Sequence, residues 1–147
     1  MKAHEATIQC SICGGEARLV SQEREIRLGR RAVMALDEFY RCGSCEEEFY
    51  LPGMMDAVLR RATARIRAED GLLAPEQVKA LRARLGLTQP EFEQLLGVGK
   101  NTCVRWERGT IPQSAATDSL LRLIDRFPEN ADFLGELHGV ELRGRAA

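Results

Sequence analysis

Four of the five cysteines fall into two pairs, Cys10–Ser11–Ile12–Cys13 and Cys42–Gly43–Ser44–Cys45, on either side of residues 14–41. A C-x2-C turn can aim both sulfurs at one ion. Two such turns supply the tetrahedral four-thiolate coordination of closed structural zinc sites. A closed site leaves no position for a water ligand, so the expected role is structural: one Zn2+ per chain on Cys10, Cys13, Cys42 and Cys45. In a module this small, the free energy of metal binding is folding free energy. A mononuclear iron site of rubredoxin type uses the same ligands and would instead make the chain a redox protein. A thioredoxin-like pair needs a βαβ setting that neither motif has. His4 lies outside the spacing of both pairs and reads as a surface residue, while Cys103, close to Trp106, reads as a small core residue.

A second constellation runs from Leu87 to Gly109, LTQPEFEQLLGVGKNTCVRWERG. It reads as helix, glycine turn, helix, the arrangement in which a second helix enters the DNA major groove. Val98, Cys103 and Trp106 are expected to point toward Phe92, Leu95 and Leu96. The opposite side then presents Lys100, Asn101, Thr102 and Arg105, with Asn101 and Arg105 four apart on one side of a helix over about 100–108. Asparagine pairs bidentately with adenine and arginine with guanine. Asn101 and Arg105 are therefore the expected base readers, and Gln89, Lys100, Thr102 and Arg108 the phosphate or flanking contacts.

The elements that must position these groups change character along the chain. Arg18–Glu23, Glu25–Leu28, Ala32–Leu36 and Glu38–Arg41 alternate with period two and read as small strands punctuated by Gly14–Gly15 and Gly29. From about 53 to 69, Met54, Met55, Val58, Leu59, Ala62 and Ile66 recur at helical spacing among arginines, and Asp70–Gly71 closes that helix. Short helices follow. Pro75–Leu85 stops at Gly86, and Thr88–Gln89–Pro90–Glu91 is a capping box opening the next helix. Further helices are expected over about 114–127 and from Pro128 to Gly139, with Val140–Ala147 frayed. The fold class is α+β: a strand-rich zinc module (1–51), a linker helix and hinge (52–74) and an all-α five-helix domain (75–147).

Composition narrows the function. With 21 Lys+Arg against 22 Asp+Glu, the formal charge is −1, so the chain is not a polyelectrolyte that coats nucleic acid or membrane by charge alone. Any DNA contact must come from a few placed residues. No apolar run approaches the ~18 residues of a membrane span, and the N-terminus has no apolar signal region, so a cytoplasmic protein is expected. Enzyme chemistry has little support: His4 and His138 are the only histidines, and no carboxylate cluster or phosphate-cradling loop is present.

Residues 75–127 resemble the helix-turn-helix domain of the Xre/Cro family of repressors. The whole order over residues 8–137, a four-cysteine module, a linker helix and this domain, resembles the MqsA family of antitoxins with its YgiT-type zinc finger. Asn101 and Arg105, within G-x-N-x-x-x-R, fall where that family's base-contacting pair lies. The resemblance implies a homodimer through the C-terminal domain that binds a palindromic operator in double-stranded DNA and represses its own operon. It also implies a zinc module available to a cognate RelE-like mRNA interferase toxin. Leu120, Ile124, Phe127, Phe133 and Leu137 are the candidates for the dimer surface. The alternative in the same binding class is a stand-alone Xre-type regulator with no toxin.

Overall fold

One long hairpin carries the alternation of the N-terminal third. In the computed structural model, which describes residues 3–144, β1 (Thr7–Gln9), β2 (Glu16–Leu28), β3 (Arg31–Cys42) and β4 (Glu48–Phe49) form an antiparallel sheet in the order β1-β2-β3-β4. The four short strands expected from sequence are two continuous ones, paired from Ala17 with Cys42 to Leu28 with Arg31. Gly29, at φ 59°, opens the two-residue turn between them, a position where glycine carries no Cβ penalty.

The strands looked broken because polar residues occupy inward positions. Asp37 is buried and accepts a hydrogen bond from Tyr50 Oη at 2.9 Å. Arg24 stacks 4.0 Å above the Phe39 ring and reaches Glu48 through two 2.9 Å hydrogen bonds. The Arg24 and Arg41 guanidiniums together hold the Glu48 carboxyl down to about 2. The next side chain, Tyr40, is buried too; it stacks on Phe49 at 5.8 Å and packs with Cys10, Ala17, Cys42 and Met54.

Six helices follow among the described residues: α1 (Met54–Asp70), α2 (Pro75–Arg84), α3 (Gln89–Leu96), α4 (Thr102–Arg108), α5 (Ala115–Arg126) and α6 (Glu129–His138). The boundary between two compact units falls inside α1, between Ala62 and Thr63. In the helical unit, Val78, Leu81, Leu85, Phe92, Leu95, Cys103, Trp106, Leu121 and Ile124 form one apolar core. The capping box is made: Thr88 Oγ1 accepts from the Glu91 amide, and Glu91 Oε2 accepts from the Thr88 amide at 2.8 Å. The last turn of α1 belongs to this unit through Arg67, which is 5% exposed. Arg67 donates to Gln113 Oε1 and to the carbonyls of Trp106 and Ile111, and burial pulls its pKa down.

The C-terminal segment is more ordered than its sequence suggests. Val140 is buried in the core, the amides of Arg143 and Gly144 bond to the Leu85 carbonyl, and the Arg143 guanidinium clasps Glu91. The expectation of fraying is corrected as far as Gly144, and residues 145–147 lie outside the described residues.

Candidate metal centre and nucleic-acid interface

Each cysteine pair sits in a tight knuckle, and the two knuckles repeat one hydrogen-bond pattern. In the first, the Cys10 amide bonds to the Gly15 carbonyl and the Gly14 amide to the Cys10 carbonyl. In the second, the Cys42 amide bonds to the Glu47 carbonyl and the Glu46 amide to the Cys42 carbonyl. Corresponding residues, Gly14 and Glu46, take left-handed backbone at φ 78° and 61°. Gly15 lies where the knuckles approach, and a Cβ there would stand 2.6 Å from Ser44 Oγ.

All four sulfurs lie within 4.8 Å of one another; Cys10 to Cys45 is 3.8 Å and Cys13 to Cys42 is 3.4 Å. Four sulfurs held ~2.3 Å from one tetrahedral ion stand ~3.8 Å apart, so this cluster has the dimensions of a closed four-thiolate site. The amides of Ile12, Gly15 and Ser44 each point at a cysteine sulfur at 3.4 Å, which favours the thiolate. The Cys45 and Ser44 amides draw Cys42 down to about 6. Cys45 goes the other way: the Glu47 amide lowers it, but burial and the neighbouring thiols push it up to about 12. Four thiols this close oppose each other's ionisation until a cation joins them. The donor set therefore fits a metal ion.

The sequence-predicted DNA contacts, apart from Gln89, lie on α4 and the turn before it. Gly97, at φ 70°, ends α3, and Trp106 and Cys103 anchor α4 in the core. Burial and the adjacent Glu107 raise the Cys103 thiol to about 12, consistent with a core role. Arg105 and Arg108 are exposed on α4, Lys100 is exposed in the turn, and Thr102 is the half-buried first residue of the helix. Asn101 is exposed but not helical. It is the N-cap of α4 in left-handed conformation, φ 66° and ψ 6°, so the helix begins two residues later than expected and Asn101 precedes rather than shares the Arg105 face.

Gln89 is half-buried rather than free, and its Nε2 donates to Glu107 Oε2 at 2.7 Å. Glu107 also forms a two-pronged pair with Arg82, at 2.6 and 3.1 Å, while Arg82 Nη1 donates to the Leu87 carbonyl. Sequence reading missed this Arg82–Glu107–Gln89 cluster, because charged residues at amphipathic positions give no pairing signal across 25 residues.

The family of MqsA, the antitoxin component of bacterial toxin–antitoxin systems, matches residues 8–137. The chain belongs to the MqsA family of antitoxins. It is 30% identical to the antitoxin MqsA of Escherichia coli over 126 residues, covering 83% of this chain and 95% of that one. It is also 26% identical to the antitoxin HigA-2 of Vibrio cholerae over 65 residues, 44% of this chain and 62% of the relative.

In this MqsA-family chain the candidate dimer residues divide between surface and core. Phe127, Phe133 and Leu137 are 44%, 60% and 61% exposed, with Leu123, not expected from sequence, at 48%. Leu120 is half-buried against the core and Ile124 is fully buried within it, where its contacts are intramolecular. No helix among the described residues is long and apolar enough to cross a membrane.

Proposed function

We propose that this MqsA-family chain is a dimeric, zinc-holding repressor that reads a palindromic operator with Asn101 and Arg105. It represses its own operon and neutralises a RelE-like mRNA interferase, acting in the cytoplasm and without enzymatic activity. The observation that carries the DNA-binding reading is the pairing of an exposed asparagine and an exposed arginine on α4 and its N-cap. Cys103, between them, and Trp106, next to Arg105, are fixed in the core, so both readers project from a rigid base. Lys100, Thr102 and Arg108 flank them and are suited to phosphate oxygens, while Gln89 reaches that surface only as far as Glu107 allows.

The remaining parts rest on separate support. The spacing and thiolate chemistry of Cys10, Cys13, Cys42 and Cys45 favour Zn2+, one ion per chain, in a module over residues 1–51. Phe127, Phe133 and Leu137, with Leu120 at their margin, are the apolar residues that a second copy would cover in the domain over 75–147, reached through the helix within 52–74. The toxin partner is supported by family membership.

The deciding experiment is binding of the zinc-loaded chain to its own promoter fragment. Asn101→Ala combined with Arg105→Ala should weaken it at least ~30-fold, taking ~1–3 kcal/mol per bidentate contact, with zinc content and helicity unchanged. Wild-type affinity in that double variant would refute the assignment of α4.

A further inference from the structure

We infer that the buried carboxylate of Glu93, on α3, is the positioning residue of the recognition surface: it caps α4 in place of Asn101 and thereby leaves the Asn101 side chain free for a base. The inference deepens the DNA-binding reading and rests on it.

The first amides of a helix need acceptors, and an N-cap asparagine ordinarily supplies its own side-chain oxygen to the second or third of them. An asparagine so engaged cannot also present its amide to adenine. Asn101 makes no such bond; its backbone is left-handed, and its side chain is exposed. The acceptor comes instead from across the turn. Glu93 is 6% exposed, and its Oε2 accepts the Cys103 amide at 2.9 Å. The same residue's carbonyl accepts the Val98 amide at 3.0 Å. Glu93 therefore grips the turn at both ends, with its main chain before Gly99 and its side chain after Asn101. A carboxylate there also complements the positive end of the α4 dipole.

Left-handed backbone is costly for a residue with a side chain, ~1–2 kcal/mol, and persists only where the surroundings over-determine it. The two-ended hold supplies that constraint. Glu93 stands at a position where the apolar pattern of Phe92, Leu95 and Leu96 offers no reason for an acid, and the cap supplies one.

The test is a double-mutant cycle on the full-length zinc-loaded chain, with affinity for its own promoter fragment as the readout. Glu93→Ala should weaken binding ~10-fold when Asn101 is present and less than ~2-fold in an Asn101→Ala background, since the loss runs through Asn101. Glu93→Gln keeps an oxygen within reach of the Cys103 amide and should restore most of the affinity. An equal loss in both backgrounds, or wild-type affinity in Glu93→Ala, overturns the inference. If Glu93→Ala does not fold, Glu93→Asp, one methylene too short to reach the amide, takes its place in the cycle. Asn101→Ala and Arg105→Ala each leaving affinity unchanged would overturn the recognition-helix reading itself. Loss of affinity in Arg105→Ala alone, with Asn101→Ala silent, would overturn only the role given to Glu93.

Discussion

Replacing Arg82 with leucine is the most informative perturbation of the helical unit. Arg82 and Glu107 have side chains only 15% and 7% exposed, and burial alone would raise the Glu107 pKa. The Arg82 and Gln89 hydrogen bonds overcome that and hold it below the usual carboxylate value. Leucine fills the stem volume but leaves the carboxylate with Gln89 and the Cys103 thiol, and it frees the Leu87 carbonyl. Breaking one side of a buried pair costs ~3–5 kcal/mol, and the surviving Gln89 bond places this site near ~3 kcal/mol. At a urea slope of ~1.5 kcal/mol/M the midpoint falls by ~2 M. Trp106, the single tryptophan and a core residue of this unit, is the fluorescence reporter. The pH dependence separates ion pairing from packing. In the wild type the depressed Glu107 pKa contributes stability above the unfolded value of ~4.3, lost as pH falls through the folded value. In the variant burial dominates, the folded pKa lies above the unfolded one, and stability falls as pH rises. The deficit should therefore be widest near pH 7 and shrink toward pH 3–4. A deficit that is the same at both ends of that range would refute the ion-pair account and assign the loss to packing.

Two further outcomes follow from the geometry. Cys10→Ser should reduce bound zinc from about one ion per chain to none by elemental analysis and remove amide protection in the sheet, while Trp106 fluorescence stays native. Phe133→Arg with Leu137→Glu places charges on exposed apolar positions of α6, so light scattering should give half the mass of the wild type while the urea midpoint moves by less than ~0.5 M, as for surface changes.

How much of this was legible depended on whether a feature is local. The cysteine knuckles, the Thr88–Glu91 capping box and the glycine stops at Gly97, Gly109 and Gly139 are set within a few residues, and spacing alone predicted them. The long hairpin was obscured because Arg24 and Asp37 take inward positions, and their partners, Phe39, Glu48 and Tyr50, are 13 to 24 residues away in sequence. The start of α4 was misplaced because Asn101 reads by spacing as a helical residue one turn before Arg105; it is the N-cap instead, and the acceptor for the Cys103 amide is a carboxylate ten residues before that cysteine. The order of residues 140–144 depends on Arg143 meeting Glu91, 52 residues earlier, a contact no periodicity encodes. Ile124 and Phe133 are both apolar residues at helical spacing, and only the packing of α5 and α6 decides that one lies inside and the other outside.

Arg67 has a consequence for ionic strength. The groups it touches directly are neutral, the Gln113 side chain and the carbonyls of Trp106 and Ile111, while the carboxylates that offset its charge, Glu76 and Asp118, act from beyond direct contact. Mobile ions cannot enter a contact that is 5% exposed, and charges so enclosed are little screened. Contacts to phosphate behave oppositely and weaken steeply as salt rises. The brace on the C-terminal end of α4 therefore stays fixed across salt concentrations that strip a protein from DNA. In a salt titration of this chain on its promoter this brace then adds nothing to the slope, unlike exposed ion pairs such as Arg143 with Glu91.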